Sequence, residues 1–403
     1  MLLKVHRYIG LSLAVFLIII GLTGTALVWF EPLDEAVNSD LWHVTPRGQS
    51  IDPVTLRERI QAADPDNHYY YIEFPNRPDK AVAFYTEGSV DPRTGNVKAT
   101  TFDQAFADQY SGKKLGQRQW GNFSLQREDL MTQIFFLHYA LVLPEELGEP
   151  LVGYIALIFA INCVVGVILT FPPFRRRAGI GRSFWRAWIK SWLIKTEGGG
   201  NRLVLDLHRA IGLWVWILFL VVAISGFAFN LPDTYASVAR KISGYSNIEA
   251  DAPVLPKPLV DPPVSWHRAY ELGQTYMQQA AAREGFKVLH PVALIYRRNT
   301  GHYFYRVMSD RDKGAHGSGT TAVGVNAQSG AFAGVEVPTG RNAGNTFTTW
   351  IKALHTGRVG GTPWKVVLAL LGVMLAMVSV TGVILWWRKK GGRKPRAVRR
   401  NIS

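Results

Sequence analysis

Four of the ten histidines in this 403-residue chain border long apolar runs, where they are placed to ligate a metal. His6 and His208 open two such runs, and His138 and His355 stand ahead of two others. A neutral imidazole is a good nitrogen ligand. For any one of them the ordinary reading is an interfacial residue, since ionisable groups are penalised most at the bilayer centre and little at its edge. Four at matched places change that weighting. If the halves of the chain pack about a two-fold axis, His6 faces His208 near one surface and His138 faces His355 near the other. Pairing within a half fails on distance, because most of a bilayer separates His6 from His138. Zinc asks for four ligands and copper often for sulfur, and neither carboxylates nor cysteines gather beside these histidines. Haem brings four nitrogens of its own and asks the protein for two axial ligands.

The elements that must position them are membrane spans. Tyr8 to Phe30, Leu151 to Phe171, Ala210 to Pro232 and Val366 to Trp387 contain no acidic or basic side chain. Each meets the roughly 20 residues a helix needs to cross hydrocarbon. The expected fold class is therefore an α-helical integral membrane protein with four main transmembrane helices. The first run follows Lys4 and Arg7 like a secretory leader but is too long for a leader core, so a retained anchor is expected. The single cysteine, Cys163, cannot form an intramolecular bridge, and no C-x-x-C-H haem attachment is present.

A net charge of +15 raises the question of nucleic acid, which the placement of the charge answers. Lysine and arginine crowd beside Lys4 and Arg7, in the 175–202 loop and in the 388–403 tail, flanking spans on one side. That is the positive-inside pattern of a bacterial inner-membrane protein with both termini cytoplasmic, and no nucleic-acid partner is implied. Within the loop, Trp185, Trp188, Ile189 and Trp192 share one helical face, which predicts an interfacial helix lying on membrane lipid. Arg7 and Arg209 adjoin their histidines and are candidates to meet haem propionates, with membrane anchoring as the default role.

An internal duplication orders the rest. His6-Arg7-Tyr8-Ile9-Gly10-Leu11 recurs as His208-Arg209-Ala210-Ile211-Gly212-Leu213. Thr23-Gly24 recurs as Ser225-Gly226, Leu137-His138 as Leu354-His355, and Gly166 to Leu169 as Gly382 to Leu385. The turn Val90 to Gly95 is matched with Val325 to Gly330. The chain reads as two tandem repeats joined near Gly198 to Gly200, each with a small external α+β domain. The expected segments are a first span (1–30), an external domain (31–133), a His-bearing segment with the second span (134–174) and the basic loop (175–202). A third span (203–232), a second external domain (233–348), a His-bearing segment with the fourth span (349–387) and the basic tail (388–403) complete them. Helices are expected over Asp52 to Ala63 and Ser265 to Arg283. Strands are expected over Tyr69 to Phe74, Ala81 to Tyr85, Val288 to Tyr296 and Tyr303 to Met308. Gly24 lies five helical turns from His6, about 27 Å along the axis, and Gly226 stands likewise to His208. These glycines either clear room for a macrocycle or let helices pack closely. His138 and His355 are each expected near a break in the chain that allows it a short helix of its own. The remaining histidines, His43, His68, His267, His290, His302 and His316, read as surface or domain residues.

These motifs together resemble the PepSY-associated transmembrane family, the iron-regulated membrane proteins, over nearly the whole chain. The closest functional likeness is to FoxB-type inner-membrane ferric-siderophore reductases. The resemblance implies two haem b groups and reduction of a periplasmic ferric siderophore to release ferrous iron. Hard siderophore oxygens hold ferric iron better than the softer ferrous ion, so one added electron loosens the metal. No dinucleotide or Walker motif is present, which leaves a membrane quinol or a separate cytoplasmic reductase as the electron donor. Two other classes stand beside this one. A transporter with histidine proton relays would need more polar residues in its spans than Asn162, Ser225 and Ser379. A non-catalytic binding or regulatory protein would leave the paired histidines without a purpose.

Overall fold

A computed structural model of the chain describes residues 1–91, 93–121, 123–172, 182–314 and 320–391. His316, Pro92 of the first turn, the start of the basic loop and the end of the basic tail lie outside the described residues. In chain order the first half contains α1 (Leu2–Leu27), α2 (Phe30–Val37), α3 (Ser39–Trp42) and α4 (Pro53–Ala63). Strands β1 (Asn67–Glu73), β2 (Val82–Gly88), β3 (Gln104–Ala107) and β4 (Lys114–Arg118) follow, then α5 (Leu130–Ala140), α6 (Glu145–Thr170) and α7 (Arg182–Trp188). The second half contains α8 (Gly200–Asn230), α9 (Pro232–Ser243) and α10 (Trp266–Glu284). Next come β5 (Val288–Arg297), β6 (His302–Ser309), β7 (Thr321–Asn326), β8 (Phe332–Glu336), α11 (Ala343–His355) and α12 (Gly361–Gly391).

Two compact units result. One comprises residues 1–28, 137–231 and 362–403, and the other residues 29–136 and 232–361. In the first, α1, α6, α8 and α12 are each long and apolar enough to cross a membrane, so the chain is a multi-pass membrane protein. All four outrun the apolar windows read from the sequence. Helices α1, α6 and α8 gain length by continuing through polar residues at their N-terminal ends, and α12 at both ends. Pro363 falls in the first turn of α12, where its missing N–H is tolerated, whereas Pro150 lies inside α6 and gives up one helical hydrogen bond. Helix α6 packs against both α1 and α8, with Phe159 and Phe219 5.7 Å apart in the second contact. Helices α1 and α12 touch backbone to backbone. A Cβ added to Gly21 would fall 2.7 Å from the Gly372 carbonyl oxygen, and Thr25 Oγ1 donates to the Ala369 carbonyl at 3.0 Å. Small residues at such a crossing allow the van der Waals contact that holds helices together in lipid.

The second unit is built on one eight-stranded antiparallel sheet in the order β4-β3-β2-β1-β5-β6-β7-β8. The sequence reading has two separate external α+β domains; here the four strands of each half join through β1 and β5. The seam is short, pairing Tyr71 with Ile295, Ile72 with Leu294 and Glu73 with Ala293. Side-chain alternation along the strands sends Tyr69, Phe84, Leu294, Tyr303, Tyr305 and Val323 into a core shared with α4 and α10. Side chains from both halves reinforce this arrangement. The Arg57 guanidinium stacks 4.1 Å from the Trp266 ring centre, and Arg298 bonds Glu87 at 3.1 Å. Asp52 and Ser265 cap α4 and α10 by accepting from the backbone N–H groups of Thr55 and Arg268. In a buried ion pair, Arg118 on β4 donates to both carboxylate oxygens of Asp34 at 2.9 Å. Asn38 and Trp42 donate to the same carboxylate.

Strands β3, β4, β7 and β8 are not among the four strands expected from sequence; β3, β4 and β8 are short, and β3 carries two alanines and a glutamine in four residues. The matched turns also fall out of step. The Asp91 turn lies in the β2 to β3 connection, whereas the Asn326 turn joins β7 to β8. Both are tight turns: the Gly95 and Gly330 N–H groups donate to the Asp91 and Asn326 carbonyls at 2.8 Å. Their likeness reflects shared turn chemistry at non-equivalent strand positions.

Glu336, at the end of β8, gives this unit a pH dependence. Burial pushes its carboxyl up to about 7 from an ordinary 4.5, against the attraction of Arg306 and Lys352 and a backbone N–H from Ile248, while Glu249 repels it. The folded state therefore holds a proton that the unfolded chain releases, and stability falls as pH rises from 4.5 to 7. The penalty above pH 7 is about 3 kcal/mol at most. Glu336→Gln should melt at a higher temperature than the parent at pH 8 and at the same temperature at pH 4.5, as read by thermal unfolding in detergent.

Candidate functional site

Within the helical unit, His6 lies in the second turn of α1 and His208 in the third turn of α8. Their imidazole ring centres are 6.2 Å apart, with the planes inclined at 70°. An imidazole–metal bond of about 2.0 Å places two rings on opposite sides of one metal with centres roughly 6 Å apart. The observed spacing fits a shared iron. Among the described residues no three His, Cys, Asp or Glu side chains gather to hold a bare metal ion. Two facing imidazoles without further ligands suit haem better than zinc.

Each of three histidines rests against a glycine of another helix. A Cβ at Gly166 would stand 3.0 Å from His6 Cε1, one at Gly382 3.2 Å from His208 Cε1, and one at Gly24 3.1 Å from His138 Cε1. Gly226 differs, facing the Ala156 side chain. At these three positions the space a side chain would fill is occupied by an imidazole ring, which neither sequence expectation for the glycines anticipated. His6 at Gly166 and His138 at Gly24 also mark opposite ends of α1, 18 residues or about 27 Å apart at 1.5 Å per residue.

The ring nitrogens are held unequally. His208 Nδ1 is 2.9 Å from the Val378 carbonyl and 3.2 Å from Thr381 Oγ1. His138 Nδ1 is 3.0 Å from Thr23 Oγ1. His6 Nδ1 closes no hydrogen bond of good geometry, although the backbone and side chain of Asn162 lie within reach of the ring.

His138 is positioned by a tight hairpin. It lies on α5, a short helix such as the break in sequence suggested, and the chain turns into α6 through Leu141 and Val142, at φ of 56° and 58°. Non-glycine residues in the left-handed region cost about 1–2 kcal/mol each. The turn is held from both sides: Gly148 sits directly under the Ala140 carbonyl, and Asn230 Nδ2 donates to the Tyr139 carbonyl at 2.6 Å. His355 is the last residue of α11 in the sheet unit, likewise on a short helix.

Arg209 is engaged elsewhere. Its guanidinium donates to Asp206 at 2.9 Å and to the Lys190 carbonyl at 3.0 Å, while Arg202 holds the same buried carboxylate at 2.9 Å. Asp206, which sequence reasoning passed over, thus ties the basic loop to the start of α8. Trp188 and Trp214 add bonds to Thr170 and to the Trp192 carbonyl. In this loop α7 ends at Trp188 and a single 3-10 turn follows over Ile189–Ser191, so the expected interfacial helix is shorter than its aromatic stripe. Arg7 makes no ion pair among those the described residues form.

Of the other histidines, His43 lies near Glu35 and Asp79, His68 bonds Glu87 and His267 bonds Glu58 and Thr55. His302 is buried in the sheet, with Nδ1 at 2.7 Å from the Thr300 carbonyl. His290 is half-buried beside the Pro291 carbonyl. A family model for the PepSY-associated TM region matches residues 3–389. No curated protein matches the chain.

Proposed function

The chain belongs to the PepSY-associated transmembrane family, and from that premise we propose that it is a di-haem b membrane reductase acting on ferric siderophores. The reading places it in a bacterial inner membrane with both termini in the cytoplasm and the sheet unit in the periplasm. The observation that carries it is the His6–His208 pair, two imidazoles from different spans with ring centres 6.2 Å apart. Haem bound there would supply a one-electron carrier within the lipid. His6 and His208 would be its axial ligands, and the glycines at 166 and 382 leave room for their rings. The second haem is assigned to His138 and His355 on the sequence pattern alone.

The protein's own contribution is to hold imidazoles in place, exclude water and present a binding surface outside the membrane. Two tandem copies of one unit belong to the same reading. Each half supplies two long helices, a short His-bearing helix and four consecutive antiparallel strands. The electrons come from a quinol or a cytoplasmic reductase. Protein purified from haem-replete cells is expected to be red, with a reducible b-type spectrum and about two haems per chain. A colourless preparation overturns the proposal and favours a transporter or a non-catalytic binding protein.

A further inference from the structure

We propose that the Thr-Gly steps at Thr23-Gly24 and Thr381-Gly382 are imidazole seats, which fix the tautomer of His138 and His208 and leave Nε2 as the ligating atom. This rests on the haem reading for its purpose and on hydrogen-bond geometry for its substance. A backbone carbonyl can only accept, so the Val378 oxygen at 2.9 Å requires the proton of His208 to sit on Nδ1. The Thr381 hydroxyl agrees with that assignment. Its own hydrogen is directed to the Met377 and Val378 carbonyls at 2.8 and 3.0 Å, which turns an oxygen lone pair toward His208 Nδ1. Thr23 is arranged in the same way. It donates to the Ile19 carbonyl at 2.8 Å, so Oγ1 is the acceptor in its 3.0 Å contact with His138 Nδ1.

The glycine is the other half of the seat. A Cβ at Gly24 or Gly382 would come within 3.1 or 3.2 Å of Cε1 and push the ring off its acceptors. With the proton on Nδ1, the lone pair of the ring is carried by Nε2. Donation from Nδ1–H to an acceptor also makes Nε2 a stronger electron donor to a metal. Thr23 and Thr381 are accordingly positioning residues that act through their histidines.

His6 is the contrasting case. Its seat has Val165 in place of threonine before Gly166, and only the backbone and side chain of Asn162 approach its ring nitrogen, without a hydrogen bond of good geometry. The two members of the His6–His208 pair are therefore unequal. His208 is held by both a carbonyl and a threonine hydroxyl, whereas no threonine stands beside His6.

The test uses the full-length protein in detergent or lipid, with two readouts. In protein produced without haem and carrying nitrogen-15 histidine, the His208 resonances, identified by their loss in His208→Ala, should report the Nδ1–H tautomer. The Nε2–H tautomer at His208 overturns the proposal whether or not haem ever binds. In the haem-loaded protein, Thr381→Val should raise the midpoint potential of one haem and leave the other unmoved, while Thr381→Ser should restore the parent value. Thr23→Val should move the other haem instead. Unchanged potentials in both valine variants, with two haems still bound, overturn the proposal while leaving the di-haem reading intact. Absence of haem from all preparations defeats the functional reading and leaves the tautomer measurement to decide the seat.

Discussion

On the di-haem proposal, His6→Ala should cost the protein one of two haems, and His208→Ala should cost the same one. The expectation comes from the 6.2 Å between the two ring centres. A bis-imidazole iron that loses either ligand is left with one axial bond and a water-sized gap in an apolar environment. Haem content per chain, measured on purified variants, should fall from about two to about one in each single variant and fall no further in the double variant. If one substitution emptied one site and the other substitution a different site, the rings would be neighbours that serve separate irons.

Gly372→Ala should be among the most damaging methyl groups that can be added to the spans. At this crossing each added Cβ is driven into the opposing backbone: one at Gly21 meets the Gly372 carbonyl at 2.7 Å, and one at Gly372 comes closer still to the Gly21 carbonyl and Thr25 Oγ1. A flexible side chain can move aside, but a helix backbone can retreat only by separating α1 from α12. Such separation also breaks the Thr25 to Ala369 bond. The cost should reach or exceed the roughly 1–3 kcal/mol of an overpacked core. A drop of several degrees in melting temperature, or loss of folded protein from the membrane, is the expected result. Gly212→Ala is the control, since nothing lies within 4 Å of the added carbon. Equal behaviour of the two variants would mean that α1 and α12 do not cross at these glycines.

The spans were legible because about 20 consecutive apolar residues have one stable arrangement in lipid. The nearness of His6 to His208 was legible because the same short motif surrounds both residues. The role of the glycines was not. Spacing along one helix places Gly24 and Gly166 at the right depth, but only the packing of several helices shows that an imidazole fills the space beside each. Asp206 escaped notice for a related reason: a lone carboxylate in a basic segment looks like incidental charge until Arg202 and Arg209 are seen to converge on it. The fusion of the two external segments left no trace at all, because β1 and β5 carry the aromatic and β-branched residues of any central strand. The out-of-step turns show the limit of the motif approach. Asp91 to Gly95 and Asn326 to Gly330 share a turn because turns have few solutions, not because their strands correspond.

The seam between β1 and β5 has a consequence for how this protein is made. During translation β1 emerges more than two hundred residues ahead of its partner, and two spans must be inserted in between. Until β5 arrives, the open edge of β1 is an invitation to the wrong neighbour, of the kind that leads nascent strands to aggregate. Maturation of the first half must therefore wait for the second, and a ribosome stalled between them would leave a fragment that only a chaperone or a protease could deal with.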